Sequence, residues 1–231
     1  MALALLNFKL PDNLRSNFFD RLALPDRKRI LAAATPRRFA AKSVITNQGH
    51  PADRLFLLTK GRARYFFDEH GGRHILLHWL TPGELIGGMT LLANPASYLL
   101  GSEAVRECSL LAWDRATIRN FVAQYPALLE NALSTASDYL AWYLAAHVAL
   151  TCHSAEERLA GVLGSLAEAV GQKVAGGVEL DVGNEELANA ANVTPFTASR
   201  LLASWQRSGV VKKSRGKILL CDPKRLPLRK L

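Results

Sequence analysis

Cysteine is scarce in this chain of 231 residues. The three that occur, Cys108, Cys152 and Cys221, are far apart and odd in number. They match neither a disulfide framework nor the ligand spacing of a zinc or iron–sulfur site. We therefore expect the protein to work in a reducing compartment, the cytoplasm.

Catalytic and membrane-spanning motifs are absent as well. The sequence contains no nucleophile elbow, no phosphate-binding glycine loop and no metal-ligand spacing. Residues 1–10 are apolar but carry no basic leader or small-residue cleavage site, so we expect no secretion signal. The longest uncharged run, residues 139–155, is slightly short for a bilayer span and contains polar side chains. We expect neither an enzyme nor a membrane protein.

Acidic residues are in deficit, with 20 Asp and Glu against 29 Lys and Arg and a net charge of +9. This balance suits a polyanion or an acidic membrane surface. From residue 200 onward the single acid is Asp222. The cations of this segment are Arg200, Arg207, Lys212, Lys213, Arg215, Lys217, Lys224, Arg225, Arg229 and Lys230. Because a solvated charge run normally mixes both signs, this one-sided run indicates a phosphate-binding surface.

Residues 184–209 predict two short helices joined by a tight turn. Asn184 is a candidate N-cap, Asn192 suits a left-handed turn, and Thr194 followed by Pro195 is a helix start. The predicted buried face of the second helix consists of Ala198, Leu201, Leu202 and Trp205. Hydroxyls and arginines remain on or near the outer face, as a reader of the DNA major groove requires.

Two apolar stretches, residues 210–211 and 218–220, enclose a basic turn and predict a β-hairpin wing after this helix. The whole segment is therefore predicted to be a winged helix-turn-helix whose partner is double-stranded DNA. The candidate DNA-binding residues are Thr194, Phe196, Thr197, Ser199, Arg200, Ser204, Arg207, Lys212, Lys213, Arg215 and Lys217.

Residues 39–113 have a different texture, with short apolar stretches separated by turn signals. These signals include Lys60-Gly61 and Thr81-Pro82-Gly83. Many short strands at regular intervals predict a double-sheet roll or barrel.

Within this region, LFLLTKGRARYFFDEHGGRHILLHWLTPGELIG (residues 55–87) is similar to the cyclic-nucleotide-binding β-roll of the CRP/FNR family of transcription regulators. TPFTASRLLASWQRSGVV (residues 194–211) resembles the recognition helix of that family. The resemblance implies an α+β fold with three parts. These are a double-stranded, jelly-roll-like β-roll sensor domain (1–124), a long dimerisation helix (125–153) and a winged helix-turn-helix domain (154–231). It also implies a parallel homodimer and contact with RNA polymerase.

The predicted long helix has an apolar seam of its own, with residues at intervals of three and four from Leu129 to Leu150. Other sides of the helix are apolar too, so it needs cover from more than one direction. We favour a second subunit as part of that cover. Burial inside a monomer is the alternative.

The resemblance also identifies where an effector would bind. Members that bind cyclic AMP hold the ribose with a glutamate directly after the Ile-Gly pair. They neutralise the phosphate with an arginine about ten residues later, followed by Ser or Thr. This chain has Gly88, Tyr98 and Leu99 at those positions. Because a buried phosphate without its cation is costly, we expect no cyclic AMP in the usual pose.

A different, less charged effector is one remaining option, and an aromatic pocket that the chain itself fills is the other. The candidate pocket residues are Gly87, Gly88, Tyr98, Leu99, Tyr139 and Tyr143. No cysteine precedes Cys108, so we do not expect the iron–sulfur cluster of one family branch. Haem, used by another branch, stays a minor option. Its candidate ligands are His74, His78, His147 and His153.

The predicted function is a sequence-specific, homodimeric DNA-binding transcription regulator. Many relatives place a glutamate that reads cytosine where this chain has Phe196. They have a basic residue at the neighbouring position, where this chain has Pro195. Contact between Phe196 and a thymine methyl would give a different target sequence. The alternative function is a ligand sensor that acts through protein partners without binding DNA.

Overall fold

The computed structural model describes residues 14–69, 74–94, 96–214 and 216–227. The chain divides into two compact units, Met1–Asp138 and Tyr139–Leu231. This boundary falls inside one long helix, Ala127–Cys152. The division into 1–124, 125–153 and 154–231 stays a prediction.

The described part of the first unit is built on an antiparallel β-roll. Its strands are β1 (Thr35–Phe39), β2 (Val44–Thr46), β3 (Arg54–Lys60), β4 (Ala63–Asp68), β5 (His74–Leu80), β6 (Leu85–Ile86), β7 (Gly101–Ala104) and β8 (Cys108–Asp114). One sheet has the order β1-β8-β3-β6 and the other the order β2-β7-β4-β5. The predicted roll is therefore confirmed.

Burial and turn chemistry explain why these strands form. β3 reads RLFLLTK, and its five central residues are buried. The chain then turns at Gly61, where φ is 97° and a Cβ would collide with the carbonyl oxygen of Glu107. Only glycine meets both conditions without strain. Leu58, Ile86 and Leu110 are fully buried in one core cluster of the roll.

Two helices close one side of the roll, α1 (Leu24–Ala32) and α2 (Arg115–Gln124). Asp114 caps α2 by accepting a hydrogen bond from the Thr117 amide at 2.8 Å, and this bond lowers the pKa of Asp114. The fully buried Trp113 donates its indole N–H to the carbonyl of Ile30 at 2.8 Å. A second core cluster, which contains Ile30 of α1 and Trp113 of β8, joins this helix to the sheet.

The long helix α3 (Ala127–Cys152) begins in the first unit and ends in the second. Leu128 is its fully buried anchor, and Asn131 donates to the carbonyls of Phe18 and Asp20 at 3.0 and 2.8 Å. Large apolar side chains elsewhere on α3 are exposed. They are Leu129, Leu133, Leu140, Trp142, Leu144, Val148 and Leu150. The described chain leaves this apolar surface uncovered.

The second unit continues with α4 (Ala155–Ala169), β9 (Gln172–Val174), β10 (Gly177–Leu180), α5 (Asn184–Ala190), α6 (Pro195–Arg207), β11 (Val211–Ser214) and β12 (Lys217–Leu220). Its antiparallel sheet has the order β11-β12-β10-β9. The N-cap of α4 is Ser154, whose hydroxyl accepts from the Glu157 amide while the Glu157 carboxylate accepts from the Ser154 amide. The predicted winged helix-turn-helix is confirmed as a fold.

The start of α5 differs from the prediction by one residue. Gly183 is the N-cap, and Asn184 is the first residue inside the helix. The carboxylate of Glu186 accepts a hydrogen bond from the Gly183 amide at 2.9 Å. This bond gives a partner to a backbone N–H at the start of the helix, where the first N–H groups have no partner within the helix. The Asn184 side chain was expected to supply such a partner.

Candidate nucleic-acid interface and effector pocket

Helix α6 begins at a well-defined cap. The Thr194 hydroxyl accepts a hydrogen bond from the Thr197 amide at 3.1 Å and lies 2.9 Å from the Thr197 hydroxyl. Pro195 occupies the first turn, where its missing N–H costs nothing. The two threonine hydroxyls predicted to contact DNA are thus already engaged with each other in capping the helix.

The turn before α6 is held by an arginine that sequence reasoning missed. Asn192 has the positive φ, 48°, that was expected of the turn. Arg158 of α4 donates from Nε to the carbonyl of Ala191 at 2.9 Å and from Nη2 to that of Asn192 at 3.2 Å. Its Nη1 donates to the carbonyl of His153 at 2.8 Å. One guanidinium therefore ties the end of α3 to the turn of the helix-turn-helix.

The inner face of α6 is apolar, as predicted. Ala198 and Leu202 are fully buried and Trp205 is nearly so, whereas Leu201 is half-buried. The indole N–H of Trp205 donates to the carboxylate of Glu156 at 3.1 Å, at the start of α4. Two polar links from the first turn of α4, one to the turn and one to α6, thus fix the orientation of the recognition helix within its unit.

The outer face of α6 presents the predicted polar residues to solvent. Ser199, Arg200, Ser204 and Arg207 are exposed, and Thr197 is half-buried. Phe196 is 78% exposed, the highest value among the exposed large apolar side chains of the described chain. Helical spacing aligns Phe196, Arg200, Ala203 and Arg207 on one line, named here the outer stripe. This stripe carries an aromatic ring at its first position and cations at its second and fourth.

The wing consists of β11 and β12, which pair from Val211↔Leu220 to Ser214↔Lys217. Lys212 is exposed, and Lys213 is half-buried on the face that carries the buried Ile218. The predicted contact residue Arg215 lies outside the described residues, as do Arg229 and Lys230.

One wing cation already has a partner. Lys217 Nζ donates to Glu179 Oε1 on β10 at 2.6 Å, and this hydrogen bond, together with the carboxylate charge, raises the pKa of Lys217. A phosphate would therefore have to compete with a carboxylate for Lys217. Lys212 has the more open position.

In the first unit, Tyr98 is buried, with 7% of its surface exposed. Its hydroxyl donates to the carbonyl of Arg54 at 2.8 Å and accepts from the Arg54 amide at 3.1 Å. Burial raises the pKa of Tyr98 to about 12. The Tyr98 hydroxyl thus has its hydrogen-bond partners within the roll.

The glycine pair beside Tyr98 has two different environments. Gly87 has φ 87°, and a Cβ there would lie 2.7 Å from the Arg54 carbonyl oxygen and 2.8 Å from Cε1 of Tyr98. Gly88 has open space around the position of an added Cβ, and Leu99 is 67% exposed. The Tyr98 ring therefore lies directly against the first glycine, where the resemblance implies nucleotide binding.

The other candidate pocket residues, Tyr139 and Tyr143, lie on the part of α3 that belongs to the second unit, and both are half-buried. Their sharing a pocket with Gly88 stays a prediction. A cavity of about 380 Å³ is lined by Tyr98 together with Arg37, Phe39 and Arg54, among others. Gly87, Gly88 and Leu99 do not line it.

Two of the four histidines considered as haem ligands have a carboxylate beside them. His74 contacts Asp68, and His78 lies 3.4 Å from Glu84. Among the described residues, no three His, Cys, Asp or Glu side chains are grouped so as to hold a metal ion. Within the same residues, no helix has the length and hydropathy required to cross a bilayer.

Residues 36–125 match the family model of the cyclic nucleotide-binding domain, and residues 157–228 match that of the Crp-like helix-turn-helix domain. A similar protein is the CRP-like cAMP-activated global transcriptional regulator of Mycobacterium tuberculosis, 23% identical over 84% of this chain and 87% of the relative. The Cyclic AMP receptor protein of Thermus thermophilus is 29% identical over 74% of this chain and 76% of its own.

A solved structure of the c-di-GMP responsive global regulator CLP from Xanthomonas campestris is similar with a TM-score of 0.76. It covers 87% of this chain and 100% of its own, at 19% identity. A β-roll followed by a winged helix-turn-helix defines the class, a transcription regulator with a DNA-binding domain. The chain belongs to the CRP/FNR family of these regulators. Its relatives are named for different nucleotides, so family membership leaves the effector open.

Proposed function

We propose that this protein is a sequence-specific, homodimeric regulator that binds double-stranded DNA in the cytoplasm. The observation that carries the proposal is the exposure of Arg200 on the outer stripe of α6, over a helix whose opposite face is buried. An arginine so placed matches the fork of guanine O6 and N7 in the major groove. Ser199, Ser204 and Lys212 are exposed for phosphate contacts that set the register.

Dimerisation rests on the uncovered apolar surface of α3. Leu133 and Leu140 are 66% and 60% exposed, values that a monomer in water does not favour for a row of leucines. Association of two copies through this helix would bury that row. Two recognition helices about 34 Å apart would then read a near-palindromic site. By family resemblance, RNA polymerase is the protein partner.

The effector of this protein is proposed to be something other than conventionally bound cyclic AMP, or none. The residues at the nucleotide positions do not fit that ligand. Gly88 has no carboxylate for a ribose hydroxyl, Tyr98 brings no positive charge, and Leu99 has no hydroxyl for the phosphate. The Tyr98 hydroxyl also donates a hydrogen bond to the backbone carbonyl of Arg54.

Calorimetry with cyclic AMP tests this part. We expect no binding to the wild-type protein at millimolar nucleotide. The variant Gly88→Glu/Tyr98→Arg/Leu99→Ser restores the missing groups and serves as the comparison. Micromolar binding of cyclic AMP to the wild-type protein would contradict the proposal, whatever the variant does.

Selection of duplexes from a random library tests the DNA-binding part. We expect a near-palindromic motif. A plot of the logarithm of the binding constant against the logarithm of the salt concentration should have a slope of about −0.9 per phosphate contact. A ligand sensor that acts only through protein partners is the alternative. It predicts no enriched motif and no steep salt dependence.

A further inference from the structure

Phe196 is a large apolar side chain that the protein itself does not bury. It lies at the second position of α6 with 78% of its surface exposed, whereas Trp205 on the same helix is 5% exposed. The side chains that follow it along the outer stripe are Arg200, Ala203 and Arg207. Folding therefore gives no reason for an aromatic ring at this position.

The major groove offers one apolar group to such a ring. Base edges there carry hydrogen-bond donors and acceptors, and the exception is the C5-methyl of thymine. Phe196 has no polar atom in its side chain, and Pro195 beside it has neither a polar side chain nor a backbone N–H. The side chains of Pro195 and Phe196 therefore offer only apolar contact to a base edge. Arg200, one turn later, offers hydrogen bonds.

Helix geometry sets the distance between the two contacts. Four residues of α-helix rise about 6 Å, and stacked base pairs are about 3.4 Å apart. We propose that Phe196 is a specificity-determining residue that packs against the C5-methyl of a thymine one or two base pairs from the guanine contacted by Arg200. This inference rests on the proposed DNA-binding function and adds the identity of a base.

Replacing thymine by deoxyuridine in the duplex removes this methyl and leaves every hydrogen-bonding group in place. Burial of one such group is worth about 0.8 kcal/mol, which corresponds to about a fourfold change in affinity per half-site. With both half-sites changed, the wild-type protein is expected to lose about fifteenfold. The effect should appear at one thymine position of the selected motif and not at the others.

The experiment is a cycle of two proteins and two duplexes, measured by fluorescence anisotropy. Wild type and Phe196→Ala are each titrated with the selected duplex and with its deoxyuridine form. Phe196→Ala is expected to bind the thymine duplex more weakly and to show no preference for thymine over deoxyuridine. Arg200→Ala, the matched control, is expected to keep the preference while losing overall affinity. Because Phe196 is exposed, its replacement should leave the unfolding midpoint unchanged.

Two results would overturn the inference. One is equal wild-type affinity for thymine and deoxyuridine duplexes at every position. The other is an unchanged thymine preference in Phe196→Ala, which would assign the methyl contact to another residue. Either result leaves the DNA-binding function intact if the wild-type protein still prefers the selected motif to scrambled DNA. Loss of that preference would instead contradict the proposed function.

Discussion

Arg158 donates a hydrogen bond to the carbonyl of Ala191 at 2.9 Å, joining residues 33 positions apart in the sequence. The same guanidinium reaches the carbonyls of Asn192 and His153. The turn that orients α6 therefore depends on a side chain from the start of α4.

Replacing Arg158 by Met should destabilise the second unit by about 1–3 kcal/mol, because three carbonyls lose a charged donor. Urea unfolding measures the change, and the affinity for the selected duplex should fall with it. Arg158→Lys keeps the charge but not the fork, so an intermediate loss is expected. Equal stability of wild type and Arg158→Met would show that water replaces the arginine without cost.

Tyr98→Phe tests whether the tyrosine hydroxyl is held inside the roll. The change should cost about 1 kcal/mol at neutral pH. The loss is limited because the Arg54 carbonyl also accepts from the Thr90 hydroxyl at 2.8 Å. Urea unfolding of both proteins at pH 7 gives the difference.

The same pair of proteins gives a pH dependence with a defined sign. The folded pKa of Tyr98 is raised to about 12, above the value of about 10 for an unfolded tyrosine. The contribution of the protonated hydroxyl to the free energy of unfolding is therefore complete below pH 10 and is lost as the pH rises toward 12. Between pH 9 and pH 11 the wild type should lose about 1.4 kcal/mol more than Tyr98→Phe. Parallel losses in the two proteins would contradict a buried hydroxyl.

The exposed leucines of α3 give a test of the proposed dimer. Leu133→Glu places a carboxylate in the apolar row and should convert the protein to a monomer. Light scattering after size-exclusion chromatography measures the mass. Ser134→Glu is the matched control, since Ser134 is an exposed polar neighbour on the same helix. A wild-type monomer, or a dimer that survives Leu133→Glu unchanged, would contradict association through this helix.

The parts of the fold governed by local chemistry could be predicted from the sequence. Thr194 followed by Pro195 predicted the start of α6, and the structure places the cap of that helix at Thr194. The start of α5 was misplaced by one residue because Asn184 is a good N-cap by composition, while Glu186 satisfies the Gly183 amide instead.

Contacts between distant segments could not be predicted in the same way. The clamp by Arg158 and the pairing of Lys217 with Glu179 join residues 33 and 38 positions apart. Strand β9 reads Gln-Lys-Val, and its residues are exposed, so no burial pattern marked it. For Tyr98, the sequence left a filled pocket and a ligand pocket equally open. The bonds to the Arg54 backbone arise only when β3 and the segment before β7 are brought together.

The central claim is that the outer stripe of α6 reads a base sequence. Its most direct test is a binding measurement on Arg200→Ala with the selected duplex, with variants of that duplex at each base pair, and with scrambled DNA. We predict that Arg200→Ala loses about 1–3 kcal/mol of binding free energy for the selected duplex. Discrimination between bases should disappear at one position per half-site and persist at the others. Lys217→Ala, whose cation is already paired with Glu179, should change affinity little. Unchanged discrimination at every base position in Arg200→Ala would contradict the account.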